Sequence, residues 1–198
     1  MKYQLVIAFL IAFCSCKEKA LPVLGHHIYV DGKEQIQKTP DFSLLDQNAQ
    51  IINKDSLQNQ IHIADFFFTS CPTICPKTIR SMMELEKEFG DDPRVSFLCF
   101  SIDYKRDSLQ RIQHYASKLG IENPRFHFLV PKDKQENKRI ADGYMSTALD
   151  DESAPGGFDH SAYLLLVDRN FQLRSYAVGT DPEDVKRLAK DIHKLLKE

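Results

Sequence analysis

The stretch Val95–Ile102, VSFLCFSI, is apolar on both faces of the strand period. A strand written this way needs cover on both sides, as the centre of a parallel sheet has. Ile61–Phe68 (IHIADFFF) is a second apolar, aromatic strand, interrupted by Asp65. Between the two, Pro76–Phe89 places Ile79, Met82, Met83, Glu86 and Phe89 near helical spacing, with proline suited to the first turn and Gly90 to the stop. Ser108–Leu119 predicts a helix ended by Gly120, Phe126–Val130 a third strand, Lys134–Met145 a helix and Ala162–Val167 a fourth strand. Asp168-Arg169-Asn170 is a turn, from which Phe171–Val178 returns as a fifth strand in a hairpin. Asp181–Lys197 is a last helix, with Asp181 as cap and Pro182 in its first position.

The order β-α-β-α-β-α-β-β-α predicts an α/β domain whose central sheet is mixed, mostly parallel and flanked by helices on both faces. That order is thioredoxin-like: a βαβ half, a crossover helix and a ββα half. Asp41–Gln58 reads as an N-terminal hairpin extension at the sheet's edge. The 198 residues suit one domain plus extras, and 42% apolar with 27% charged residues is the balance of an ordinary globular protein. That balance excludes a disordered chain, a collagen and a multi-span membrane protein. A net charge of −2 gives no basic surplus for nucleic acid.

The first residues read MKYQLVIAFLIAFCSC. Lys2 is a minimal positive region, and Leu5 to Phe13 is an apolar run too short for the ~20 residues that span a bilayer. Ser15-Cys16 at its end resembles a bacterial lipoprotein signal, which implies removal of residues 1–15 and acylation of Cys16. Residues 16–39 then form a tether and lead-in segment, and 40–198 the folded domain. The expected location is outside the cytoplasm, held to the membrane by lipid alone, where free thiols meet an oxidising medium. His26-His27 in the lead-in are read as polar surface.

Thr69-Ser70-Cys71-Pro72-Thr73-Ile74-Cys75-Pro76 is the sharpest motif in the chain. Two thiols four residues apart fall on one face of a helical turn, where both can reach one ion or close into a disulfide. The opening of a helix favours thiolate, the form that binds metal or attacks a disulfide. Cys99, between Leu98 and Phe100 in mid-strand, is expected to be a core thiol. Gly156-Gly157-Phe158-Asp159-His160-Ser161 precedes the fourth strand. In a thioredoxin-like sheet that loop lies beside the cysteine helix, so His160 can join the two sulfurs. Asp159 or a backbone oxygen could then fix its ring tautomer. Soft sulfur selects Cu(I), and imidazole also suits Cu(II).

These motifs together resemble the Sco/SenC/PrrC family of thioredoxin-fold, copper-binding assembly factors for cytochrome c oxidase. The resemblance runs from about Pro40 to Lys197. It is carried by Cys71-Pro72-Thr73-Ile74-Cys75-Pro76, by Phe100-Ser101-Ile102-Asp103 with Arg106-Asp107, and by Asp159-His160-Ser161 followed by an apolar strand and Asp168. It implies that Cys71, Cys75 and His160 hold copper. It also implies a copper-bearing oxidase subunit as the recipient and a thiol reductant of thioredoxin type as a second partner. Thr73 stands where the family often has an acidic residue, and Tyr104 where it often has proline.

The residues leave a second reading open, a thiol–disulfide oxidoreductase in which Cys71 attacks and Cys75 resolves. Three residues rather than two between the cysteines weaken a general role of that kind. A redox sensor acting through a partner is a third. Peroxidase chemistry of the peroxiredoxin kind wants threonine three residues before its cysteine, where Phe68 and Pro72 stand.

Overall fold

A computed structural model describes residues 19–198, so the leader at 1–15 and Cys16 lie outside the described residues. Five strands form the main sheet: β5 (Ile61–Phe67), β6 (Val95–Ser101), β7 (Phe126–Leu129), β10 (Tyr163–Val167) and β11 (Leu173–Val178), in the order β11-β10-β5-β6-β7. β5, β6 and β7 run parallel, whereas β10 is antiparallel to both β5 and β11. The helices are α1 (Cys75–Phe89), α2 (Leu109–Leu119), α3 (Lys134–Gly143) and α4 (Pro182–Leu195). This is the thioredoxin-like arrangement expected.

Every residue of β5 and of β6 is buried. Their parallel register pairs Asp65 with Cys99 and Phe66 with Phe100, so like positions share a face. On one face Phe67 meets Tyr115 of α2 and Phe128, and Asp65 meets Thr78 of α1. On the other, Phe66 packs on Phe100, Phe42 lies edge-on to Phe100, and Tyr144 closes over both Phe66 and Phe100 at the end of α3. Cys99 is wholly buried, the core thiol expected.

Small hairpins fill in the edges. β3 (Ser43–Leu45) and β4 (Ile51–Asn53) make the expected N-terminal hairpin, which touches the β7 edge where Val130 N–H donates to the Leu45 carbonyl at 3.2 Å. β1 (His27–Val30) and β2 (Lys33–Ile36) form another hairpin inside the stretch read as tether and lead-in. Its signal was Asp31-Gly32, both at positive φ, the pair that a two-residue hairpin turn needs. That segment is docked: Leu24 N–H donates to Leu173 O at 2.7 Å, and Arg174 binds the carbonyls of Leu21 and Pro22. His26 and His27 are both exposed, as expected of the pair, and His27 Nδ1 lies 2.8 Å from the Glu34 carboxylate.

Most ends shift by a residue and α4 stops two short, at Leu195; two further shifts have a local cause. α3 ends at Gly143, two residues short, because Met145 turns left-handed at φ 56°. β11 begins at Leu173, because Phe171 at φ 61° donates back to Asp168 O and completes the turn.

Two titratable groups are sealed inside β5. His62 Nε2 lies 2.9 Å from the Tyr144 hydroxyl, and burial lowers its pKa to about 3. Burial raises Asp65 to about 7, against the bond from Thr78. Their linkage effects oppose each other. Below pH 6.5 the unfolded chain protonates His62 and the folded chain does not until about 3, so this group makes stability fall as pH falls. From 3.8 to about 7 the folded chain alone keeps the Asp65 proton, so this group makes stability fall as pH rises. Urea unfolding across this range should therefore show Asp65→Asn with a rise toward pH 6.5 that is steeper than wild type by up to about 1.4 kcal/mol per pH unit. His62→Asn should shift the slope in the opposite sense. Parallel curves for wild type and both variants would refute the assignment.

Candidate metal centre

β5 delivers the chain to the carboxyl end of the sheet, where Phe68 begins the cysteine loop. Cys71 N–H donates to Phe68 O at 3.2 Å, which turns the loop back. α1 then starts at Cys75 with Ile74 as its N-cap, a residue with no side-chain acceptor to offer. The Cys71 sulfur fills part of that role, accepting from Cys75 N–H at 3.4 Å. Pro76 occupies the first turn, where a missing N–H costs no helical bond.

One buried carboxylate holds the loop in place. Asp107 accepts from Thr69 N–H at 3.0 Å, from the Thr69 hydroxyl and from the Ser101 hydroxyl at 2.7 Å, with Arg111 3.5 Å away.

His160 arrives on a hairpin of its own. β8 (Ala148–Asp150) pairs antiparallel with β9 (Phe158–His160), with Gly156 and Gly157 between them at φ 83° and 89°. A side chain at Gly156 would collide with the Phe68 ring, at 2.6 Å from an ideal Cβ. Glycine there lets the hairpin lie against the cysteine loop. Phe68 then contacts both Phe158 and the His160 ring, at centroid distances of 5.3 and 5.4 Å.

The three sequence-predicted ligands meet. His160 Nε2 is 3.5 Å from Cys75 Sγ and 3.8 Å from Cys71 Sγ, and all three atoms lie within 4.8 Å of one another. Among the described residues this is the one cluster of three or more His, Cys, Asp or Glu able to hold a metal ion. The group that orients the ring is the Ser161 carbonyl, 3.2 Å from Nδ1. A carbonyl only accepts, so Nδ1 carries the proton and the Nε2 lone pair faces the sulfurs. Asp159 does not take this place. It neighbours His160 on a strand, so its side chain points to the opposite face and is exposed. Its influence on the ring is through charge alone.

The two thiols differ. Burial raises Cys71, but hydrogen bonds from Cys75 and Thr73 outweigh it and bring the pKa below the ordinary thiol value. Cys75 is pushed far up, by burial first and then by the adjacent Cys71. Burial lowers His160 and keeps the imidazole neutral, with Ser161 and Asp159 opposing. The neutral ring can ligate. Two sulfurs and one imidazole nitrogen are a soft donor set of the kind that suits copper, and both thiols are free.

Sequence motifs without an assigned role acquire one here. Asp103 and Arg106 form an ion pair, and Arg106 Nη2 donates to Gly156 O at 2.6 Å. Tyr104, standing where proline is usual, donates to Asp150 at 3.2 Å. Thr73 lies 3.8 Å from the Cys71 sulfur.

Fold and site together define a thioredoxin-like protein with a Cys-x-x-x-Cys pair at the head of its first long helix and a distal histidine brought against it. The sequence matches the SCO1/SenC family over residues 30–197, and the chain belongs to that family. Solved structures agree in fold. A SCO1/SenC family lipoprotein from Bacillus anthracis superposes with a TM-score of 0.73 at 20% identity, covering 81% of this chain and 95% of that one. BsSco, described with a disulfide switch as a member of the Sco family of cytochrome c oxidase assembly proteins, gives 0.70 at 20% identity over 80% and 93%. Arabidopsis thaliana ScoI with copper bound gives 0.66 at 22% identity over 80% and 98%.

The unequal thiols predict an order of alkylation. With limiting iodoacetamide near pH 8, peptide mass spectrometry should find Cys71 labelled well before Cys75, and Cys99 unlabelled until the protein is unfolded. Equal labelling of Cys71 and Cys75 would contradict the asymmetry.

Proposed function

We propose that this chain is a copper metallochaperone that helps to assemble the copper centre of cytochrome c oxidase. The observation that carries the reading is the convergence of Cys71, Cys75 and His160 within 4.8 Å. Copper is cargo here. Cys71 and Cys75 hold it as thiolates, and the Nε2 lone pair of His160 completes a three-donor site. The Ser161 carbonyl keeps that lone pair aimed inward. Three protein donors leave room for a ligand from the recipient to enter before one of these leaves, which suits handover. The recipient is the copper-bearing oxidase subunit, consistent with what is said of BsSco. The copper-bound plant relative supports the choice of metal.

A second reading is favoured by the asymmetry of the thiols: a thiol–disulfide oxidoreductase that reduces the cysteines of the oxidase copper site or of other exported proteins. Cys71, the more acidic thiol, attacks, and Cys75 resolves. A thioredoxin-type reductant would restore the dithiol. The two roles are compatible, since copper loading needs the reduced pair. His160 separates them, because metal capture uses the imidazole and disulfide exchange does not.

Copper titration of the reduced protein beside His160→Ala decides between them, by bound metal per chain and the sulfur-to-Cu(II) absorption. The expected result is one copper per wild-type chain, with binding weakened at least tenfold and an altered absorption in His160→Ala. An equal affinity in both proteins would remove His160 from the site. Failure of wild type to bind, with normal dithiol exchange, would leave the reductase.

The working location is the outer side of the cytoplasmic membrane, through acyl chains on Cys16. Among the described residues no helix is long and apolar enough to cross a membrane. On the lipid-anchor reading, Cys16→Ala should release the protein from the membrane fraction and abolish labelling by a fatty-acid probe; retention and unchanged processing would count against the lipid anchor.

A further inference from the structure

The cysteines and the histidine come from segments 85 or more residues apart, and one short stretch, Ser101–Asp107, touches both. Its far end is Asp107, which holds the cysteine loop through Thr69. Its middle holds the hairpin that carries His160. Asp103 is fully buried and pairs with the Arg106 side chain, while its Oδ1 accepts Arg106 N–H at 3.1 Å. Fixed in this way, the guanidinium uses Nη2 to hold Gly156 O at 2.6 Å and places its carbon 5.6 Å from the centre of the Phe158 ring. Gly156 and Phe158 are the turn and the first residue of β9, and His160 is its last. The forked, planar guanidinium can satisfy Asp103 and Gly156 together while lying on an aromatic ring, which a lysine ammonium cannot reproduce.

We propose that Arg106 is a positioning residue for the metal site: anchored by Asp103, it clasps the β8–β9 hairpin at Gly156 and Phe158 and sets the His160 imidazole against Cys71 and Cys75. Arg106 itself touches none of the three donor atoms. The cation–carbonyl bond and the ring contact fix the turn end of the hairpin, and the Ser161 carbonyl fixes the ring at the other end. Tyr104, Lys105 and Lys134 secure Asp150 on β8 independently. Loss of Arg106 therefore loosens the turn without detaching the hairpin. The inference rests on the metal reading above, and one of its tests needs no metal.

The test uses wild type, Arg106→Ala, Arg106→Lys, His160→Ala and the Arg106→Ala/His160→Ala double variant. In the metal-free protein, amide hydrogen exchange across the β8–β9 ladder should speed up about tenfold in Arg106→Ala. Exchange in α1 and β5 should stay as in wild type. With copper, Arg106→Ala should weaken binding about tenfold, the scale of losing a group that orients a ligand. It should also diminish the nitrogen hyperfine coupling in the Cu(II) spectrum, and Arg106→Lys should recover only part of the loss. In the His160→Ala background, Arg106→Ala should add nothing, since its effect passes through the imidazole. Unchanged exchange in the ladder overturns the proposal whatever copper does. So does an equal loss of affinity in both backgrounds, which would mean that Arg106 acts by another route. Failure of wild type to bind copper defeats the metal reading instead, and the exchange data then decide alone whether Arg106 holds the hairpin.

Discussion

The burial of β5 on both faces is the constraint from which the rest follows. Seven consecutive residues without solvent need helices or covering segments on each side and a paired strand at each edge. The sheet order provides both, with β6 parallel on one side and β10 antiparallel on the other. A strand so enclosed has one exit, at the carboxyl end of the parallel strands. In open α/β sheets that end is where ligand crevices form. The cysteine loop starts there, and β6 ends beside it at Ser101, so Asp107 can bind both exits with one carboxylate. The antiparallel β10 sets where the remaining member of the cluster comes from. It enters the sheet from the same end, so the residues just before it, including His160, are carried to the cysteines. Reversing one strand in a parallel sheet is therefore what brings a distal loop to the site.

The same enclosure makes the two thiols chemically unequal. Cys71 precedes the helix and collects hydrogen bonds from the amides and the hydroxyl around it, which favour its thiolate. Cys75 is the first residue of the helix, packed over the sheet, and its thiolate would stand in apolar surroundings next to another anion. A cation held between them would reverse the second penalty, supplying the charge that Cys75 lacks so that its proton could leave. The site thus pairs a Cys71 thiol that ionises more readily than usual with a Cys75 thiol that ionises far less readily, beside an imidazole that burial favours in its neutral form. Metal binding would complete the ionisation, and the same geometry is compatible with dithiol chemistry.

Much of this was legible in the sequence because it depends on local period and on spacing. VSFLCFSI admits little but a doubly covered strand, and Pro76 and Gly90 bracket α1 within a residue of its observed span. The clustering of Cys71, Cys75 and His160 was legible because two cysteines four apart and a histidine before a late strand are meaningful once the strand order is known. Several features lay beyond such signals. The β1–β2 hairpin is exposed along nearly its whole length, so it has no alternation of apolar and polar residues to announce it, only its Asp31-Gly32 turn. β8 and β9 are three residues each, shorter than any period can register. Assigning the orienting group of His160 needed coordinates, because a backbone carbonyl leaves no mark in sequence. Asp159, the residue that looked suited to the task, is turned away by strand alternation.

The two departures from the family pattern can be placed in the same frame. Thr73 offers Cys71 a neutral hydroxyl rather than a second negative charge. A carboxylate there would oppose the Cys71 thiolate in the metal-free protein and favour the bound cation. Threonine adds no such charge, so that opposition to the Cys71 thiolate is absent. Tyr104 replaces a rigid proline in the stretch that joins the two halves of the site, and it returns the lost rigidity as a tether, its hydroxyl bound to Asp150 on β8. Where proline stiffens the loop by restricting its own backbone, tyrosine stiffens it by attaching it to the histidine hairpin. The link between the cysteine loop and His160 is then side-chain chemistry on both strands of contact, Asp107 to Thr69 on one side and Arg106 with Tyr104 on the other.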